Sequence, residues 1–149
     1  MTLKEQILFR YKQLVQDKID VFQDMITNLA TDAQNDAKGS AGDKHETALS
    51  MMHIEQEKLT QKLREILEQK EILNQIDPQT NNKKIALGSL VKVNEMWLFL
   101  SSALPKTEIE GKTIFALSTQ SPLGSKLMGK EVGNSVEING KIYEVVEVI

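Results

Sequence analysis

The sequence predicts an α+β protein: an antiparallel two-helix coiled-coil hairpin followed by a small domain of sheet and one short helix. Three observations carry this prediction. Apolar residues in the first half recur at steps of three and four. The second half has short β-branched and aromatic runs broken by Gly and Asn. Between them lies the polar stretch Asp77-Pro78-Gln79-Thr80-Asn81-Asn82. Pro78 disfavours helix at Asp77, and the polar run reads as a linker with few contacts across it. The predicted domains are therefore residues 1–78 and 79–149.

Composition bounds the function. The chain has 149 residues, 40% of them hydrophobic and 26% charged, which suits one ordinary domain or two small ones. It has no cysteine, which excludes a disulfide scaffold, a thiolate zinc site and a cysteine nucleophile, and its two histidines argue against a histidine-rich metal site. A net charge of −3 makes no global electrostatic case for nucleic-acid binding. No apolar run approaches the roughly 18 residues needed to cross a bilayer, and the N-terminus shows no signal-peptide pattern. A cytoplasmic protein without a membrane partner is expected.

The first helix follows from Leu3, Ile7, Tyr11, Leu14, Val15, Phe22, Met25, Ile26, Leu29 and Ala33, which advance at helical spacing. The pattern breaks at Lys38-Gly39-Ser40-Ala41-Gly42 and resumes at Leu49. From there Leu49, Met52, Gln56, Leu59, Leu63, Ile66, Lys70 and Leu73 alternate steps of three and four, a coiled-coil seam with Gln56 and Lys70 as polar interruptions. Met51 and Ile54 fall outside that seam. A short Gly-rich turn closes the two stripes on each other within one chain, so a monomer is expected. Each helix is about 35 residues and hence roughly 50 Å long. The result is a finger with its tip at residues 38–46.

In the second half, residues 88–94, 96–100, 113–117, 135–138 and 141–146 are strand candidates. Asn139-Gly140 between the last two is a two-residue hairpin signal. Residues Pro122 to Met128 read as a short helix, with Pro122 in its first turn and Gly129 just past its end.

Carboxylates are dense at the tip: Asp32, Asp36, Asp43 and Glu46. Asp32 and Asp36 sit near the C-terminus of the first helix, where the macrodipole disfavours negative charge. Asp43 and Glu46 are three apart and both project from the first turn of the second helix. Such a pair is enough to hold Mg²⁺, which takes one or two carboxylates and leaves its other positions to water or phosphate. The same residues also read as an N-cap with its capping-box partner, which requires no chemistry. His45 and His53 suit solvated or half-packed positions better than ligation.

Gly42-Asp43-Lys44-His45-Glu46-Thr47-Ala48 resembles the tip motif of the bacterial transcript cleavage factors, the GreA/GreB family, which runs Gly-Asp-x-x-Glu-Asn-Ala. The segment from Ser121-Pro122-Leu123-Gly124 through Met128-Gly129-Lys130-Glu131 to Val136-Glu137-Ile138 is similar to that family's C-terminal signature. Leu87-Gly88-Ser89-Leu90-Val91 opens the second domain in the same order. The resemblance implies an FKBP-like C-terminal domain that docks on RNA polymerase through Ser121, Pro122, Leu123 and Gly124. It implies that the finger enters the secondary channel and reaches the active site. There Asp43 and Glu46 would help hold a weakly bound Mg²⁺ shared with the polymerase and promote hydrolysis at the nascent RNA 3′ end. The chain would then be no enzyme by itself but would complete another enzyme's site. Thr47 stands where the family usually carries Asn, and Leu49-Ser50-Met51-Met52-His53 replaces its usual Glu-Tyr-His-Ala-Ala. Trp97-Leu98-Phe99-Leu100 replaces a charged strand. The alternatives are a Gre-like regulator that occupies the channel without cleavage and an FKBP-type prolyl isomerase.

Overall fold

The computed structural model describes residues 1–149 except the backbone at 40–42 and the side chains of residues 33 and 35–45. Its class is α+β. Helix α1 runs Leu3–Gly39 and helix α2 runs Asp43–Asn74. Strands β1 (Leu90–Val93), β2 (Met96–Ser101), β3 (Thr107–Ile109) and β4 (Lys112–Ser118) follow. Helix α3 (Pro122–Leu127) then precedes β5 (Ser135–Ile138) and β6 (Lys141–Val148). Among the described residues, no helix is long and apolar enough to cross a membrane.

The chain divides into two compact units. One comprises Met1–Lys12 and Glu71–Ile149, and the other comprises Gln13–Lys70. This division differs from the one expected at Pro78, because the first three turns of α1 and the last turn of α2 belong with the sheet. The stretch read as a linker is an ordered turn. Asp77 Oδ1 accepts from the Gln79 N–H at 2.9 Å, and Asp77 O accepts from the Thr80 N–H at 3.2 Å.

In the Gln13–Lys70 unit the two helices pack against each other along much of the expected stripe, but Met25 is exposed and Ile19, outside that stripe, is buried. Val15, Ile19 and Ile66 are buried. Leu49, Met52, Gln56, Leu59 and Leu63 are half-buried, while Met51 and Ile54 are exposed. The polar interruption at Lys70 has a physical account. Its Nζ donates to Gln16 Oε1 at 3.0 Å, so the ammonium sits at the seam with a partner from the other helix.

The six strands form one mixed sheet in the order β3-β4-β2-β1-β6-β5, antiparallel throughout except for the parallel pair β2–β4. Asn139-Gly140 closes the β5–β6 hairpin with φ of 50° and 80°, the conformation that Asn-Gly favours. Glu110-Gly111, with φ of 52° and 75°, makes the same kind of turn between β3 and β4. Strand β3 went unpredicted because it is three residues long and its turn lacks the Asn or Asp that usually marks one.

Both faces of the sheet are covered at its central strands β1 and β2. Val91, Val93, Leu98, Leu100, Val136 and Val145 form one core with Ile85 and with Leu127 of α3. On the opposite face Tyr11 stacks on Phe99, with ring centroids 6.2 Å apart and planes 8° from parallel. The Tyr11 hydroxyl donates to Pro105 O at 2.8 Å. Burial pushes its pKa up to about 12. This double covering explains why Leu98-Phe99-Leu100 is a continuous apolar run where alternation would suit a half-exposed strand. Ile76 reaches the sheet at Gly88, whose φ is +88° and where a Cβ would lie 2.7 Å from Ile76 Cγ2. Lys4 is 4% exposed, and its Nζ donates to Thr80 O at 2.6 Å and Ile149 O at 3.3 Å. Burial lowers its pKa, and the nearby Asp77 carboxylate opposes that shift.

Candidate functional site

Two places carry the predicted site residues: the start of α2 and the start of α3. At the first, Asp43 is the opening residue of α2, and Glu46 lies within the first turn with its side chain exposed. The side chains of Asp43, Asp36 and His45 lie outside the described residues. Asp32, one of the other tip carboxylates, is exposed on α1. His53 is exposed farther along α2, where it lines a shallow depression with Gln56, Glu57, Thr60, Gln61 and Arg64. Among the described residues, no group of three or more His, Asp or Glu is placed to hold a metal ion. Glu46 and Asp32 are exposed carboxylates among the described residues.

At the second place every backbone feature follows from residue type. Ser121 caps α3 in extended geometry, with φ of −66° and ψ of 161°. Its Oγ accepts from the Gly124 N–H at 3.0 Å and donates to Ser118 O at 2.7 Å. Pro122 occupies the first turn, where its missing N–H costs nothing. Gly124 is buried, and a Cβ there would overlap the Ser118 carbonyl oxygen and come within 2.8 Å of Ser121 Oγ. Only glycine fits, and the reason is close approach, since its φ is not in the left-handed region. Leu127 is fully buried in the core below, and half-buried Leu123 packs on the same core.

The four predicted docking residues are therefore contiguous in space but unequal in what they present. Pro122 is exposed, Ser121 spends its hydroxyl on the cap, Leu123 faces the core and Gly124 contributes shape alone. Two lysines lie at the end of this helix. Lys126 projects from its last turn, and Lys130 follows it. Backbone pairing of Ile85 with Gly129 and Lys130 brings Lys83 and Lys84, distant in sequence, next to this segment. The chain matches no family model and no curated protein.

Proposed function

We propose that the chain is an RNA polymerase-binding transcription elongation factor of the GreA/GreB kind. On this reading it acts in the cytoplasm. The finger enters the polymerase's secondary channel, the FKBP-like unit docks at the rim, and the tip stimulates hydrolysis of backtracked RNA. The observation that carries the reading is the Ser121–Ile138 signature, which lies beyond the reach of composition and periodicity. The obligatory glycine at position 124 and the Ser121 cap supply a physical reason for its opening residues.

The donor set fits a shared metal. A Mg²⁺ ion already held in another enzyme's site needs one or two further carboxylates. Glu46 is exposed in the first turn of α2, and Asp43 is its partner in sequence. When bound, the ion would polarise the phosphate and activate a water for in-line attack. The chain's own residues supply negative charge and position. A channel-occupying regulator without cleavage is the second reading, favoured by Thr47 and by the altered Leu49–His53 stretch. A prolyl isomerase has less support. Phe99, one of the few aromatics available for an apolar pocket, is fully buried under Tyr11.

The test is to add the protein to stalled, backtracked polymerase complexes and look for short 3′ RNA fragments. Cleavage should appear with the wild-type chain. Asp43→Asn and Glu46→Gln should each abolish it with polymerase affinity nearly unchanged. A mere capping role predicts instead a stability loss of about 0.5–2 kcal/mol and no effect on RNA. Cleavage that survives both substitutions refutes the catalytic reading of the tip. Binding without any cleavage by the wild type selects the channel-occupying regulator.

A further inference from the structure

Two backbone hydrogen bonds join the segment before β1 to the segment after α3. The Ile85 N–H donates to Lys130 O at 2.9 Å, and the Gly129 N–H donates to Ile85 O at 2.8 Å. This pairing sets exposed Lys83 and Lys84 beside exposed Lys130, with Lys126 one turn earlier in the chain. Lys126 Nζ donates to the Glu137 carbonyl oxygen at 2.6 Å, a neutral acceptor that leaves its charge uncancelled. Among the described residues, none of these four ammonium groups forms an ion pair; the pair found there is Lys62–Glu65. Glu131 is the one carboxylate in the immediate run 126–132. Two exposed apolar side chains interrupt the lysines: Met128 is 36% exposed and Val132 60%.

We propose that Lys83, Lys84, Lys126 and Lys130, with Met128 and Val132 among them, form a docking ridge for an acidic, partly apolar segment of the polymerase. The inference rests on the elongation-factor reading and adds to it a surface outside Ser121–Gly124. Uncancelled positive charge attracts carboxylates and steers encounter. The apolar pair would be buried against the nonpolar side of the same segment. A single-stranded nucleic acid fits less well. Such partners rely on stacking against aromatic or guanidinium planes, whereas the chain's arginines are Arg10 and Arg64, far from the ridge in sequence, and the ridge has no aromatic residue.

The experiment measures equilibrium binding of the labelled full chain to core RNA polymerase, at about 50 and about 300 mM salt. A short single-stranded RNA is titrated in parallel. Lys84→Glu/Lys130→Glu should weaken polymerase binding by about tenfold at low salt, and Lys84→Arg/Lys130→Arg should bind as the wild type does. Lys84→Ala/Lys130→Ala should fall between them. Trp97 fluorescence and circular dichroism should match the wild type in all three, since these side chains are exposed. Wild-type affinity in the Glu variant overturns the ridge while leaving the elongation-factor reading intact. Absence of wild-type binding to polymerase overturns both. Tight RNA binding that the Glu variant loses overturns the ridge in favour of a nucleic-acid surface.

Discussion

Tyr11→Ala should unfold the sheet-bearing unit at much lower denaturant, although Tyr11 belongs to a helix that the sequence assigns to the finger. Tyr11 and Phe99 are both fully buried, with their rings nearly parallel and offset. Removing a large aromatic from such a site costs about 3–5 kcal/mol, the sum of lost transfer energy and an unfilled cavity. Within that range the ring pair accounts for about 0.5–1.5 kcal/mol. The hydrogen bond to Pro105 O at 2.8 Å accounts for a similar amount. Tyr11→Phe keeps the ring and loses only the latter. With a urea slope of about 1–3 kcal/mol/M, the alanine variant's midpoint should drop by about 1–5 M and that of the phenylalanine variant by about 0.2–1.5 M. The single tryptophan, Trp97 on β2, reports the transition by fluorescence. An unchanged Trp97 midpoint in Tyr11→Ala would refute the assignment of the first turns of α1 to the sheet's core. The same logic makes a fragment of residues 79–149 a poor test of docking. It lacks Tyr11, Ile7, Leu73 and Ile76, all buried in the whole chain, and it should behave as a partly unfolded species.

Gly124→Ala should destabilise the sheet-bearing unit by about 1–3 kcal/mol, measured by the same denaturation, because backbone must move to admit the methyl group; wild-type stability would contradict the close approach to Ser118. In the hairpin, Ile66→Ala should cost about 2–5 kcal/mol and half-buried Leu63→Ala distinctly less, compared by circular-dichroism melts. An equal loss at both positions would contradict the burial pattern. Alkaline titration supplies a further check. The folded Tyr11 hydroxyl has its pKa raised to about 12 against roughly 10 unfolded, so its stabilisation is complete below pH 10 and is lost as pH rises toward 12. Lys4, with its pKa lowered, acts in the opposite sense, since its unfolded form binds the proton more tightly. The difference between wild type and Tyr11→Phe isolates the tyrosine, and two superimposable profiles above pH 10 would contradict its burial.

Much of the architecture is local and was readable for that reason. The alternating steps from Leu49 to Leu73 mark a helix face, because 3.6 residues per turn place those side chains together whatever lies opposite. Asn139-Gly140 marks a hairpin because few residues accept positive φ, and Ser121-Pro122 marks a helix start because a hydroxyl and a missing N–H suit one. The tip carboxylates were legible as residue types, and the role proposed for them came from a motif. The remainder depended on residues distant in the chain. The apolar run Leu98-Phe99-Leu100 needs cover on both faces, and which segment covers the Phe99 face is decided by Tyr11, 88 positions earlier. Lys4 cannot be seen as buried until Thr80 and Ile149 meet it. The boundary moved from Pro78 to within the helices for the same reason. A break in local pattern shows where a helix stops, whereas a unit is bounded by where its side chains are excluded from water.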